Sequence, residues 1–79
     1  MRDIYPKHLA RGMIVRWHPS QFPANREPRW LCITEVTPGT RSMADQVWVA
    51  WNTENDNGDP VAGGRWVFDT TPMQAKVFP

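Results

Sequence analysis

Cysteine is all but missing from this sequence: Cys32 stands alone among 79 residues. A disulfide within the monomer is therefore excluded. Secreted domains of this size are usually dense in disulfides, so a reducing, cytoplasmic setting is expected. Histidine is scarce as well. His8 and His18 are the only two, and neither forms a paired ligand spacing with Cys32, so no metal and no cofactor is expected. Long apolar runs are absent. The N-terminal stretch lacks the apolar segment of a signal peptide, and nothing approaches the roughly 20 apolar residues of a membrane span; no membrane partner is expected. Uninterrupted helix-length stretches are also scarce, because eight prolines and five glycines punctuate the chain. The longest interval free of both, residues 40–57, carries the apolar alternation of a strand.

What the chain has instead is aromatic mass and a divided charge. Five tryptophans, three phenylalanines and one tyrosine each offer roughly 150–250 Å² for burial. That matters for a chain so short, which buries only about 60% of the surface its unfolded form exposes. The net charge is +1, but its halves differ. Residues 1–41 hold seven basic against three acidic residues, and residues 42–79 hold two basic against five acidic. Such asymmetry marks a polar interaction surface unless the fold interleaves the two halves.

Between the punctuating residues lie short runs rich in Val, Ile, Trp, Phe and Thr, which are strand formers. Five strands are expected, at residues 13–17, 30–37, 46–51, 65–69 and 75–78. Asn57-Gly58 is a hairpin-turn dipeptide, since both residues tolerate positive φ; it sits in a polar connection, residues 52–64. Residues 70–74, which include Pro72, suit a single 3₁₀ turn. The order of strand, long loop at 18–29, three further strands, 3₁₀ turn and last strand resembles the SH3-like small barrel. The opening His8-Leu9-Ala10-Arg11-Gly12-Met13-Ile14-Val15 is similar to the entry of such barrels, with Leu before Gly before a Val-bearing strand. The expectation is thus an all-β fold, a five-stranded SH3-like barrel with one short 3₁₀ turn before the last strand, forming one domain over residues 1–79 with 1–8 as an N-terminal arm. The aromatic run and acidic first loop of peptide-binding SH3 domains are missing, since Phe22-Pro23-Ala24-Asn25-Arg26 is basic, which argues against PxxP ligands. A five-stranded OB-fold wants a helix between its third and fourth strands, and the glycine- and proline-rich 52–64 segment does not supply one.

Alternation of strand faces puts Met13, Val15, Leu31, Ile33, Val47, Val49, Trp66, Phe68 and Val77 inside, with Leu9 plugging an end. Trp30 and Trp48 then face outward, and Trp17, Trp51 and Phe78 lie near strand ends. Tyr5 and Phe22 are candidates to fold over exposed indoles.

For catalysis, Ser20, Ser42 and Cys32 are the available nucleophiles and His8 and His18 the available bases. No G-x-S-x-G elbow accompanies them, and a barrel this small has little room for a substrate cleft; no catalytic residue is assigned. Residues 55–59 resemble a calcium loop only superficially. With Gly58 at the invariant glycine, Thr53 and Gly64 fall where acidic ligands belong, so a solvated turn is expected. Gly63-Gly64-Arg65 lacks any phosphate-loop context and reads as a bulge or a tight entry to a strand. An aromatic cage for a methylated lysine, as in Tudor-type barrels, would draw on Trp17, Trp48 and Trp51 with Glu54 nearby.

Two functions remain. The preferred one is a non-enzymatic interaction module that binds a protein partner, or a second copy of itself, through an aromatic patch of Trp17, Trp30, Trp48 and Trp51. The alternative is a nucleic-acid-binding barrel using Arg16, Arg26 and Arg29, interleaved with Trp17 and Trp30. Against the alternative stands a sequence pI of about 8.0, below that of most dedicated nucleic-acid binders. In its Trp- and Arg-rich composition the chain resembles small accessory proteins of bacteriophages that act on host machinery.

Overall fold

A computed structural model describes residues 1–77, with the side chain of Val77 left aside; the expected positions of Phe78 and of the Val77 side chain fall outside the described residues. Six strands are present: β1 Arg2–Ile4, β2 Ile14–Trp17, β3 Leu31–Pro38, β4 Gln46–Glu54, β5 Pro60–Phe68 and β6 Met73–Val77. No α-helix occurs among the described residues, so the all-β expectation holds. All six strands join in one antiparallel sheet of order β1-β6-β2-β3-β4-β5.

The architecture differs from a closed five-stranded barrel. The sheet is open, ending at β1 on one side and β5 on the other. The segment expected as an arm contributes β1, which pairs with β6 through Ile4 opposite Met73. That pairing also removes the expected 3₁₀ turn at 70–74, because Met73 and Gln74 already belong to β6. The 3₁₀ turns fall elsewhere, at Pro6–His8, Pro19–Gln21 and Arg41–Met43. The first two begin on a proline, whose fixed φ suits a first turn position.

Most of the connection at 52–64 is strand, with residues 55–59 outside it. β4 and β5 run as a hairpin from Gln46 opposite Phe68 to Glu54 opposite Pro60. The turn lies where the Asn57-Gly58 dipeptide places it, but it holds three residues, Asp56-Asn57-Gly58, and of these Gly58 alone has positive φ. The Asn55 N–H donates to Asp59 O (3.0 Å), the Asn55 side-chain oxygen accepts from the N–H groups of Asn57 and Asp59, and Gly58 takes φ +81°. A side chain at Gly58 is therefore strained. Gly58→Ala is expected to lower stability by about 1 kcal/mol, a fall in Tm of roughly 4–8 °C, readable in a thermal melt.

One apolar core lies on the inner face. Leu9, Met13, Val15, Leu31, Ile33, Val47 and Val49 are buried there as expected, joined by Ile4, Val67, Met73 and Ala75. The expected Trp66 and Phe68 are not part of it. They are 41% and 54% exposed, while Val67 between them is 3% exposed. The cause is register. The hairpin sets Val67 opposite Val47 and Trp66 opposite Trp48, and residues directly opposite share a face. In β3 the register shifts between Ile33 and Glu35. That bulge keeps the Glu35 carboxylate in water and turns Val36 onto the core.

Candidate functional site

Every one of the four singled-out tryptophans is half-buried, and the structure separates them into three places. Trp17 and Trp51 meet edge to face, with ring centroids 5.9 Å apart and planes at 88°. Both pack against the core, and the Arg65 guanidinium lies 5.1 Å from the Trp17 ring. They floor an open groove of about 790 Å³, which Phe22, Arg26, Arg29 and Asp56 also line. This space lies in the range of ligand clefts, contrary to the expectation of little room. Two of its rim charges, Arg29 and Asp56, satisfy one another. Arg29 forms an ion pair with Asp56 and donates to the Glu54 carbonyl oxygen (3.0 Å), and Arg26 sits 6.0 Å from the Phe22 ring.

Trp30 occupies a second place. Arg16 lies 4.8 Å and Lys76 5.3 Å from its ring. Arg16 is further fixed by two hydrogen bonds, from Nε and Nη2 to the Gln74 side-chain oxygen (3.0 and 2.9 Å). The arginines of the nucleic-acid alternative are thus divided, Arg16 attending Trp30 and Arg26 and Arg29 lining the groove.

Trp48 makes the third place, on the outer face of β4. Trp66 of β5 stands opposite it, with centroids 5.8 Å apart and planes at 61°. Phe68 extends the apolar strip along β5. A methyl at Gly64 would come within 2.8 Å of the Trp48 ring, so the indole lies flat against bare backbone. Gly63 does the same for Trp51 on the inner face, where an added Cβ would sit 2.6 Å from the indole nitrogen. The Gly63-Gly64 pair is therefore no bulge or strand entry. The β4–β5 ladder runs through it without a shift, and each glycine makes room for one indole.

Trp48 and Trp51 point to opposite faces of β4, so Trp17, Trp48 and Trp51 do not assemble into a cage. Arg65 already takes a cation's position over Trp17. The catalytic candidates come closest to a constellation at His18. Its Nδ1 is 2.8 Å from Ser20 Oγ, and its Nε2 is 3.7 Å from Asp3 Oδ1. The same Nδ1 accepts the Ser20 N–H (3.1 Å), capping the 3₁₀ turn Pro19–Gln21. Nδ1 thus faces both the backbone N–H and the hydroxyl of Ser20, and Asp3 is 70% exposed. His18 serves there as the cap of the turn.

Of the three aromatic places, only the outer face of β4 and β5 lacks a stacked cation among the described residues, and it holds the most exposed aromatic rings of the sheet. Trp66 and Phe68 were missed there by strand alternation read in isolation. A two-residue turn at Asn57-Gly58 would set Trp66 opposite Val49 and Phe68 opposite Val47, inside; a third loop residue, Asp56, shifts the register by one and turns both rings outward. Comparisons with protein-family models, curated proteins and solved structures find no match.

Proposed function

We propose that this chain is a non-enzymatic interaction module that binds a protein partner through the outer face of the β4–β5 hairpin. The observation that carries the reading is the contiguous, uncapped strip of Trp48, Trp66 and Phe68 on that face. Large apolar side chains left in water cost free energy that a partner recovers, and such patches mark interfaces. Tryptophan is also the side chain most enriched among residues that dominate binding. Trp17, Trp30 and Trp51 serve mainly to seal the sheet, being committed to the core or to Arg65, Arg16 and Lys76. The chain order of strand, long loop and three further strands supports an SH3-like affinity in an open form. The Trp- and Arg-rich composition supports reading the partner as a host protein of a bacteriophage factor.

The test is selection of binders from a random-peptide display on the wild-type protein. Trp66→Ser and Phe68→Ser are expected to leave the folded circular dichroism signal intact and to weaken those binders by about 30-fold, as for a residue worth roughly 2 kcal/mol at an interface. Folded variants that bind as wild type would reject the reading. Binding that only DNA or RNA competes for, with a steep salt dependence, would replace it with the nucleic-acid alternative.

A further inference from the structure

The strip of Trp48, Trp66 and Phe68 borders the longest free edge of the sheet. β5 spans nine residues and, among the described strands, pairs with β4 alone. Which of its amides are free follows from two hydrogen bonds that bracket the hairpin, Asn55 N–H to Asp59 O (3.0 Å) and Asp69 N–H to Asp45 O (2.9 Å). In an antiparallel ladder, residues that exchange hydrogen bonds alternate with residues that do not. Both bonds lie in the same phase. Val61, Gly63, Arg65 and Val67 therefore turn their amides toward β4. Ala62, Gly64, Trp66 and Phe68 turn theirs outward, where no strand meets them.

Charge selects what can pair there. The acidic Asp59 and Asp69 stand one residue beyond either end of β5, with Glu54 and Asp45 beside them on the paired strand side. Among the described residues no cation forms an ion pair with any of these four. Nearby cations are otherwise engaged: Arg29 holds Asp56 and the Glu54 carbonyl, and Arg65 lies over Trp17 on the inner face. A second copy is disfavoured. Antiparallel pairing of two β5 strands over their full length centres on Gly64 and sets Asp59 against Asp69 of the other copy at both ends. Like charges directly opposite destabilise a strand pair, and charge is a common guard against edge-to-edge association.

We infer that the free edge of β5 takes an extended segment of another protein, apolar along its middle and carrying lysine or arginine at both ends. The segment adds a seventh strand through main-chain hydrogen bonds to residues 62, 64 and 66 and to the Phe68 N–H, the Phe68 carbonyl being already held by the Thr71 N–H (3.0 Å), in the manner of β-strand addition. Its outer-facing side chains pack on Trp66 and Phe68, and its ends meet Asp59 and Asp69. The inference rests on the outer-face reading above and names the partner's chemistry.

The probe is a labelled, end-capped peptide of nine alternating Val and Thr residues with lysines at both ends, compared with the same peptide flanked by glutamates. Fluorescence polarisation at about 50 mM salt is expected to show the lysine peptide bound at least about tenfold more tightly, with the gap closing near 1 M salt, where screening shortens to about 3 Å. Ala62→Pro is expected to bind neither peptide, because it removes an outward N–H while leaving the β4 ladder intact. Should that variant fail to fold, a lysine peptide N-methylated on its β5-facing amides gives the same block on wild-type protein and is expected not to bind. Equal or tighter binding of the glutamate peptide, undiminished binding by Ala62→Pro or by the N-methylated peptide, or a dimer that Ala62→Pro dissolves would each overturn the inference. If Trp66→Ser and Phe68→Ser abolish binding while Ala62→Pro and N-methylation do not, only the edge inference falls. If the two aromatic substitutions change nothing, the outer-face reading falls with it.

Discussion

Gly39→Ala is expected to remove most of the stability of the fold, although it adds a single methyl group. Gly39 follows β3 and opens the turn that leads to β4, where its N–H donates to the Gln46 carbonyl (2.9 Å). A Cβ at this position would collide with the Met43 carbonyl oxygen and come within 2.8 Å of the Gln46 oxygen. These are backbone atoms, so no side-chain rotation relieves the contact. The alternative is to move the turn, which already holds Arg41 at φ +56°, a left-handed position that costs a non-glycine residue about 1 kcal/mol or more. A cost at the upper end of overpacking, about 3 kcal/mol, is a large fraction of the stability of any small domain. It corresponds to a fall in Tm of roughly 12–24 °C for a chain of this length. Differential scanning calorimetry reads it directly. A melt within a few degrees of wild type would show that the turn has room it does not have here.

The second large effect inverts the usual order of size. Val67→Asp is expected to leave the chain unfolded, whereas Trp66→Ser next to it is expected to cost only about 1 kcal/mol. Val67 is 3% exposed within the core, opposite Val47. A carboxylate there has no partner, and burying an unpaired charge costs more than the whole margin of a small domain. Trp66 faces water, so its loss forfeits the edge contact with Trp48 and little else. Urea titration of the two variants settles the matter. Should Trp66→Ser prove the more damaging, the hairpin register is wrong by one residue.

That register shows what this sequence reveals and what it hides. The strand formers between prolines and glycines announce β2 to β6, and the core of β2, β3 and β4 follows from alternation. Alternation has no sign, however. Within Arg65-Trp66-Val67-Phe68 the larger apolar residues suggest the inner face, and only the pairing partner decides. The loop fixes the pairs, and its length was hidden: Asn57-Gly58 signals a two-residue turn, but three residues, 56–58, form the loop with Asn55 opposite Asp59, which moves the register by one. β1 was not legible for a different reason. Arg2-Asp3-Ile4 has one apolar residue, and its strand character comes from Met73 across the sheet. The bulge near Thr34 was hidden likewise, since it answers to the cost of burying Glu35. The aromatic places were half legible. Trp48 was assigned an outward face, but its companions Trp66 and Phe68 followed only from register. The dispersal of Trp17, Trp30 and Trp51 reflects Arg65, Arg16 and Lys76, which lie far from them in sequence or in a different strand.

The pairing of β1 with β6 bears on how the protein is made. Of the described strands β1 is made before the others, yet the one it pairs with, β6, is made after them, and β2 likewise waits for one of its two neighbours. The consecutive hairpins β3–β4 and β4–β5 close through short loops and are free to form while synthesis continues. The N-terminal segment must meanwhile stay open, with the apolar Ile4 and Leu9 in solvent. Contacts between distant parts of a chain form slowly, because loop closure must precede them. The step that completes the core is therefore the zipping of β6 between β1 and β2, an event that waits until β6 has been made.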